Sequence, residues 1–339
     1  MKQIFLAPGA DFSRLQTRDV EAPQPKAGQV AIQIKAASLN YRDLITAQNP
    51  KIENIVPLSD GAGAIIALGE GVEDWKIGDR VCPTFFRDWT SGRFRNRYHA
   101  AALGGSADGV LSEIVVAPTH GIVRIPDDYS YQEAATLPCA GLTAWYSLMT
   151  RGHFTPGDSV LLQGTGGVSV WGLQIVVASG ERAIITSSSD DKLQRARAMG
   201  ASETVNYRAT PDWDQEVWRL TGKRGVDHIL EVGGPGTLEK SLKSVAAGGH
   251  IAQIGVLTGF EPAPVSLFPI VSKNAAISGI YVGDRQSFET FVQFLNVTKV
   301  KPVIDRVFGF DEARAAYEYQ MSGAHFGKVV ISVAFQNLN

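Results

Sequence analysis

Cysteine is nearly absent: the 339 residues include two, Cys82 and Cys139. That number gives no spaced disulfide framework, so both read as free thiols and the reducing cytoplasm is the expected compartment. An excess of one charge is also missing. The 32 basic and 34 acidic side chains leave a formal charge of −2 and are scattered along the chain, which argues against a nucleic-acid partner. No apolar run reaches 18 residues, and the first ten residues lack a basic-then-apolar order. Neither a membrane span nor a signal peptide is expected. The six histidines are dispersed, with no HExxH and no paired CxxC. What remains, 44% hydrophobic and 19% charged, is an ordinary globular composition in a chain long enough for two domains.

Glycine is plentiful, and its densest use is the most informative stretch of the chain. Residues 159–177 read SVLLQGTGGVSVWGLQIVV: an apolar strand, the turn Gly164-Thr165-Gly166-Gly167-Val168-Ser169, then a helix. Positions without side chains let a pyrophosphate approach the backbone, and the helix start supplies free N–H groups and a positive dipole. A second strand at 182–189 and a helix at 190–199, closed by Gly200, complete a βαβ unit. A dinucleotide site is therefore expected. Nearly half the chain precedes it, which suits a nicotinamide enzyme with its substrate domain first better than a flavoprotein.

The first third reads as β-rich. Val30, Ile32 and Ile34 alternate with smaller or polar residues over 29–36, and further strands are predicted around 61–71, 75–81, 111–117 and 122–125. Between them, 83–109 is aromatic, arginine-rich and irregular, a loop long enough to cover something. Ser130 and Glu133 have capping-box spacing and open a helix that Pro138 is expected to interrupt, with a second helix over 141–149. From Ser159 onward, strands at 160–163, 183–186, 204–206, 226–231, 250–254 and 276–281 alternate with helices, the pattern of a parallel sheet covered on both faces. Helices at 287–297 and 311–321 and a strand at 327–333 follow.

At this point the motifs are recognisable. ASLNYRDL (37–44), PLSDGAG (57–63), IGDRV (77–81), LPCAGLTA (137–144), the GTGGVS turn, GGHIAQIG (248–255) and FGKVVI (326–331) resemble, in family order, the medium-chain dehydrogenase/reductase superfamily. The branch they resemble contains quinone reductases and alcohol-dehydrogenase-like proteins without zinc. The resemblance implies an α/β fold with two domains: a GroES-like β-rich catalytic domain from residues 1–125, completed by 288–339, and a Rossmann doubly wound parallel-sheet domain over 126–287. It puts the active site in the cleft.

Zinc members of that superfamily bind catalytic zinc through a Cys, a His and a second Cys or Asp. At the matching positions this chain has Asn40, Ser59 (followed by Asp60) and Cys139. An amide and a hydroxyl do not make a zinc site, so no metal is expected.

The second strand of the βαβ unit ends in Ser187, Ser188 and Ser189, without the acid that holds the ribose of NAD. Small hydroxyls with Lys192 nearby favour NADP(H) over NAD(H), and Tyr207 resembles a tyrosine beside this phosphate in quinone reductases. Against this, 188–190 also read as helix N-cap residues, and Asp190 and Asp191 would repel a phosphate. The resemblance further assigns cofactor contacts to Thr143, Ile254, Gly255, Val256, Ile280, Val282, Gly327 and Lys328.

Without a metal, Tyr41 is the best donor to a substrate oxygen and Asn40 a hydrogen-bonding partner for that oxygen or the cofactor ribose. The alternatives are an aromatic wall and a turn residue. Phe85, Phe86, Trp89, Phe94 and Tyr98 form either an aromatic substrate wall or a satellite core, with Arg42 and the neighbouring arginines in solvent. The activity expected is NADPH-dependent reduction of a quinone or an activated enone. Zinc-independent alcohol dehydrogenase or carbonyl reductase activity is the second reading, and a non-catalytic dinucleotide-binding protein the third. The partners expected are a small-molecule substrate and a second copy of the chain, paired through the apolar strand near 275–282.

Overall fold

The strand at 29–36 owes its alternation to a sheet with one buried face, and it becomes the central strand of the first sheet. The computed structural model describes residues 1–333, so 334–339 of the tail expected to complete the first domain lie outside the described residues. In chain order the strands are β1 (Lys2–Leu6), β2 (Leu15–Asp19), β3 (Gln29–Ser38), β4 (Asp60–Leu68), β5 (Arg80–Pro83), β6 (Ile114–Pro118) and β7 (Ile122–Arg124). They continue as β8 (Ser159–Leu162), β9 (Arg182–Ser187), β10 (Glu203–Asn206), β11 (Val226–Glu231), β12 (Val245–Gln253), β13 (Ala276–Gly279), β14 (Ile304–Gly309) and β15 (Lys328–Ser332).

The chain divides into two compact units, Met1–Leu142 with Val282–Asn339, and Thr143–Tyr281. In the first, β1 pairs with β2, and a larger sheet runs β14-β15-β3-β4-β5-β7 with β6 also on β3. Val30, Ile32, Ile34, Ile65, Val81, Val329 and Ile331 are buried in its core. Both neighbours of β3 that matter for the site are antiparallel to it: Ser38 lies opposite Asp60 on one side and Val330 on the other. The carboxyl end of β3 is therefore flanked by the first residues of β4 and β15.

The second unit is a six-stranded sheet, parallel throughout, in the order β10-β9-β8-β11-β12-β13. Numbered within the unit, this is the 3-2-1-4-5-6 order of a doubly wound dinucleotide fold, with its reversal between β8 and β11. Ligands of such sheets bind outside the carboxyl ends of the strands at that reversal.

The helical passage differs from its sequence reading. Pro138 does not break it: Tyr131–Ala134, Leu137–Gly141, Leu142–Trp145 and Tyr146–Arg151 follow one another, with the Leu137–Gly141 and Tyr146–Arg151 turns widened to π geometry. Proline at the start of a turn forgoes an N–H that has no partner there. The passage up to Leu142 belongs to the first unit, where Cys139 N–H donates to Asp60 (3.1 Å) and Cys82 Sγ to Ala134 O (3.4 Å). The short helix Tyr41–Gln48, the β1–β2 pair and β14 stand in stretches where no periodic pattern marked them.

Candidate active site

The glycine turn is built as a cradle. Gly164 has φ +72°, and a Cβ on Gly164 or Gly166 would meet nothing within 4 Å, so the turn stands open on the side where a ligand would lie. Gly166 is the N-cap of the helix Gly167–Ala178, and no side chain caps it. Val168 and Ser169 lie in the first turn, whose N–H groups are suited to an anion. Behind the turn, Gly164 N–H donates to Thr186 Oγ1 (3.2 Å), and Thr165 Oγ1 lies 3.5 Å from Ser187 Oγ.

A buried acid unnoticed in the sequence locks this end of the sheet. Glu231, the last residue of β11, accepts from Gly233 N–H and Gly234 N–H (both 2.9 Å), from the Thr237 hydroxyl (2.5 Å), from Gln163 Nε2 (2.7 Å) and from the Ser241 hydroxyl. Gln163 immediately precedes Gly164, and its Oε1 accepts from Val232 and Gly233 N–H (3.3 Å each). The carboxylate thus ties together the two turns on either side of the sheet reversal. Gly255 belongs to the same junction: its N–H donates to Glu231 O (3.2 Å), and a Cβ there would lie 2.3 Å from Val232 O. Ile254 and Val256 flank it half-buried.

The residues expected to choose the cofactor divide between two roles. Ser189 is the N-cap of the helix Asp190–Ala198, accepting from Lys192 N–H (3.4 Å), as the capping alternative had it. Ser187 Oγ accepts from Ser189 N–H (3.4 Å). Ser188 and Lys192 are half-buried and Tyr207 exposed. Asp190 is held back by Asn206 Nδ2 (2.7 Å). Thr143 is buried and its carbonyl accepts from the Ser147 hydroxyl (2.7 Å). Ile280 is buried at the end of the second unit. Val282, the first residue back in the other unit, is also buried and sits at φ +60°, a strained conformation for a β-branched residue.

In the first unit, the strand ends assemble a polar cluster. Asn40 is the N-cap of Tyr41–Gln48 and is placed in a capping box with Asp43. Its N–H donates to Asp43 Oδ2 (2.8 Å), while its Oδ1 accepts from Lys328 Nζ (2.6 Å). Lys328 also donates to Leu39 O (2.5 Å) and is 3% exposed. Gly327 before it has φ +84°, and a Cβ would lie 2.5 Å from Val303 O. Lys328, expected among the cofactor contacts, is thus engaged with Asn40. Asp60 accepts from the Ser59 hydroxyl (2.7 Å) and Cys139 N–H. Asn40 Nδ2 lies near enough to favour the Asp60 charge but completes no well-formed hydrogen bond of its own.

Burial pushes the Asp60 carboxyl up to about 6, against the opposing pull of the Lys328 charge and the Ser59 hydroxyl. It pushes Asp43 up too, opposed by Arg42, and pushes the Lys328 ammonium down, opposed by Asp60. The Cys139 thiol is raised by burial and by Asp60.

Around the cluster, Arg42 is not in solvent: it donates to Asp43 Oδ1 (3.1 Å), Leu103 O (2.9 Å) and Gly104 O (3.0 Å). Tyr41 is 40% exposed. Phe85, Phe86, Trp89 and Tyr98 are buried and packed edge-on or stacked, with Phe94 against Phe86 and Trp89. The satellite-core reading of that loop is the one observed. The sequence reading named Lys328 only as a cofactor contact, and its bond to Asn40 had no local signal beyond a lone lysine at the head of the apolar strand KVVIS.

At the three family ligand positions, an amide and a hydroxyl accompany the single thiol, with the Lys328 ammonium bonded to the amide, and this set does not fit a zinc ion. Among the described residues no three His, Cys, Asp or Glu side chains group as a metal site. No helix among the described residues is long and apolar enough to cross a membrane.

A doubly wound sheet with an open glycine turn at its reversal, carried with a β-rich unit on one chain, defines a nicotinamide-dependent oxidoreductase. Residues 26–127 match the family described as alcohol dehydrogenase GroES-like domain, and residues 167–297 the one described as zinc-binding dehydrogenase. The chain is 42% identical over 332 residues, 95% of its length and 96% of the relative's, to the zinc-type alcohol dehydrogenase-like protein C1773.06c of Schizosaccharomyces pombe. A crystal structure from Sinorhizobium meliloti 1021, provisionally named an alcohol dehydrogenase, is 40% identical and superposes with a TM-score of 0.90 over 98% of each chain. A second, of an NAD-dependent alcohol dehydrogenase, is 32% identical with a TM-score of 0.89 over 98% of this chain and 100% of the other. More distant neighbours include proteins named acryloyl-coenzyme A reductase and quinone oxidoreductase. The chain belongs to the medium-chain dehydrogenase/reductase superfamily.

Proposed function

We propose that this oxidoreductase reduces a quinone or an activated α,β-unsaturated carbonyl with NADPH and without a metal. The observation that carries the reading is the buried Lys328–Asn40 contact, with Asn40 at a position where zinc members of the superfamily carry a ligand. When bound, the nicotinamide supplies the hydride. The chain's own task is then to cradle the pyrophosphate with Gly164, Thr165, Gly166, Gly167 and Val168, to orient the acceptor, and to deliver a proton. Tyr41, at the first position of its helix and partly exposed, is the proton donor of this reading, and Asn40 the hydrogen-bonding partner of the acceptor or ribose. A conjugated acceptor spreads the incoming charge away from the attacked carbon, so it asks less polarisation of the site than an isolated carbonyl does.

The names of the relatives, zinc-type and NAD-dependent alcohol dehydrogenases among them, favour alcohol dehydrogenase or carbonyl reductase activity as the second reading, its independence from zinc resting on Asn40 and Ser59 of this chain alone. Ser188 and Lys192 support NADP(H) over NAD(H), although Ser187 and Ser189 have local structural roles. The free thiols, Cys139 among them, suit the cytoplasm.

Two copies are proposed to pair through β13. It is the edge strand of its sheet, and Ile277 on it is 37% exposed; a bare apolar edge invites pairing.

Steady-state oxidation of NADPH and NADH against quinones, enones and aldehydes tests the activity. Quinone or enone turnover above aldehyde turnover is the expected outcome. Aldehyde reduction alone establishes the second reading. Tight NADPH binding without turnover on any acceptor refutes both.

A further inference from the structure

We propose that Lys328 is the resident cation of the first unit's polar cluster, standing in place of a divalent metal and fixing the Asn40 amide on which a substrate oxygen relies. Three observations carry this. First, Lys328 is buried, yet its hydrogen-bond acceptors are both neutral, the Leu39 carbonyl and the Asn40 amide oxygen. A buried ammonium ordinarily demands a carboxylate in contact. Here Asp60 and Asp43 act on it only as nearby charges, and its hydrogen bonds go to an amide oxygen and a backbone carbonyl.

Second, Asn40 departs from what its position favours. An N-cap asparagine normally serves only the helix N–H groups, but the oxygen of this one also accepts from Lys328, while Asp43 accepts from its backbone N–H. The contact fixes which end of the amide is oxygen and which is the donor, and it polarises Nδ2, which lies near Asp60 without completing a hydrogen bond. Third, the ammonium is placed by the sheet. Lys328 opens β15, Asn40 follows β3 and Asp60 opens β4, three strands joined edge to edge, so the arrangement is rigid in the way a site requires. Asn40 is bonded to it and Cys139 lies near enough to act on it, and a divalent ion entering there would compete with the ammonium.

The inference deepens the metal-free reading of the activity and rests on it, but it can be tested without turnover. Asn40→Cys with Ser59→His, alongside the native Cys139, assembles a Cys-His-Cys set. This double variant is prepared with Lys328 retained and with Lys328→Met, and each is titrated with Co²⁺ while its thiolate and ligand-field absorption is followed. The Lys328→Met triple variant should take up one ion per chain at least about tenfold more tightly than the double variant. Equal affinities would overturn the proposal. So would no uptake by either chain, because the place left by the ammonium would then not be a metal's place.

If the triple variant does not fold, Lys328→Met and Lys328→Arg on the wild-type background test the role on the substrate side. Met should lower kcat at least about tenfold with NADPH affinity unchanged, and Arg should restore part of it; unchanged kcat in the Met variant overturns the proposal. A wild type that reduces no acceptor refutes the proposed activity and leaves the Co²⁺ comparison intact.

Discussion

Glu231 and Asp60 are both wholly buried acids at the end of a strand, one in each unit, and their surroundings differ in kind. Glu231 has donors on both oxygens, from Gln163, Gly233, Gly234, Thr237 and Ser241. Asp60 has the Ser59 hydroxyl and Cys139 N–H, an incomplete contact from Asn40, and an ammonium beyond contact distance. A carboxylate saturated by its own backbone and neighbours is scaffold: here it holds two turns in register so that the glycine cradle stays open. A carboxylate left short of partners keeps a titration close to neutral pH and keeps neighbouring polar atoms available. Such a shortfall is tolerated where chemistry needs it.

The comparison is broken most severely if Glu231 proves dispensable. Glu231→Ala leaves several buried donors without an acceptor, at about 1–3 kcal/mol each before relaxation, so a loss of about 4 kcal/mol is expected. Urea midpoints would measure it, with weakened NADPH binding alongside. A loss under about 1 kcal/mol would mean that the network is not what holds the turns.

Asp60 sharpens the comparison through pH. Its folded pKa, about 6, lies above the usual 3.8, so the folded chain binds this proton more tightly than the unfolded chain does. The stability this contributes is full below about 3.8 and is lost as pH rises through about 6, a change of about 3 kcal/mol. Asp60→Asn lacks that slope. Its urea midpoint should gain on that of the wild type between pH 4.5 and pH 7.5; parallel curves would show that Asp60 does not titrate in this range.

The smallest effect concerns the cofactor. Lys192→Ala should narrow the preference for NADPH over NADH by about tenfold, or 1.4 kcal/mol. Equal affinities of the wild type for the two cofactors would leave Ser188 and Lys192 without that role.

The second unit was far more legible in the sequence than the cluster in the first. The glycine turn and the strand Val226–Glu231 are local signals, set by residues within a few positions of one another. The Lys328–Asn40 contact joins residues 288 positions apart. It exists because β15 and β4 both run antiparallel to β3, which no window of sequence displays. Asn40 was read from the family motif, but that reading could not tell that its amide oxygen accepts from Lys328. Pro138 misled because a proline that breaks a helix interior is harmless at the start of a widened turn. The aromatic loop left two readings open, since exposure depends on the packing of Phe86, Trp89 and Phe94 against one another.

The central claim is that the Lys328 cluster does the work for which a metal would otherwise be needed. The most direct measurement is the zinc content of the purified protein, taken together with its rate of NADPH oxidation on a quinone or enone before and after exhaustive chelation. The account predicts no stoichiometric zinc and an unchanged rate. One tightly held zinc per chain with Cys139 among its ligands, and a rate lost on chelation and restored by zinc, would contradict it.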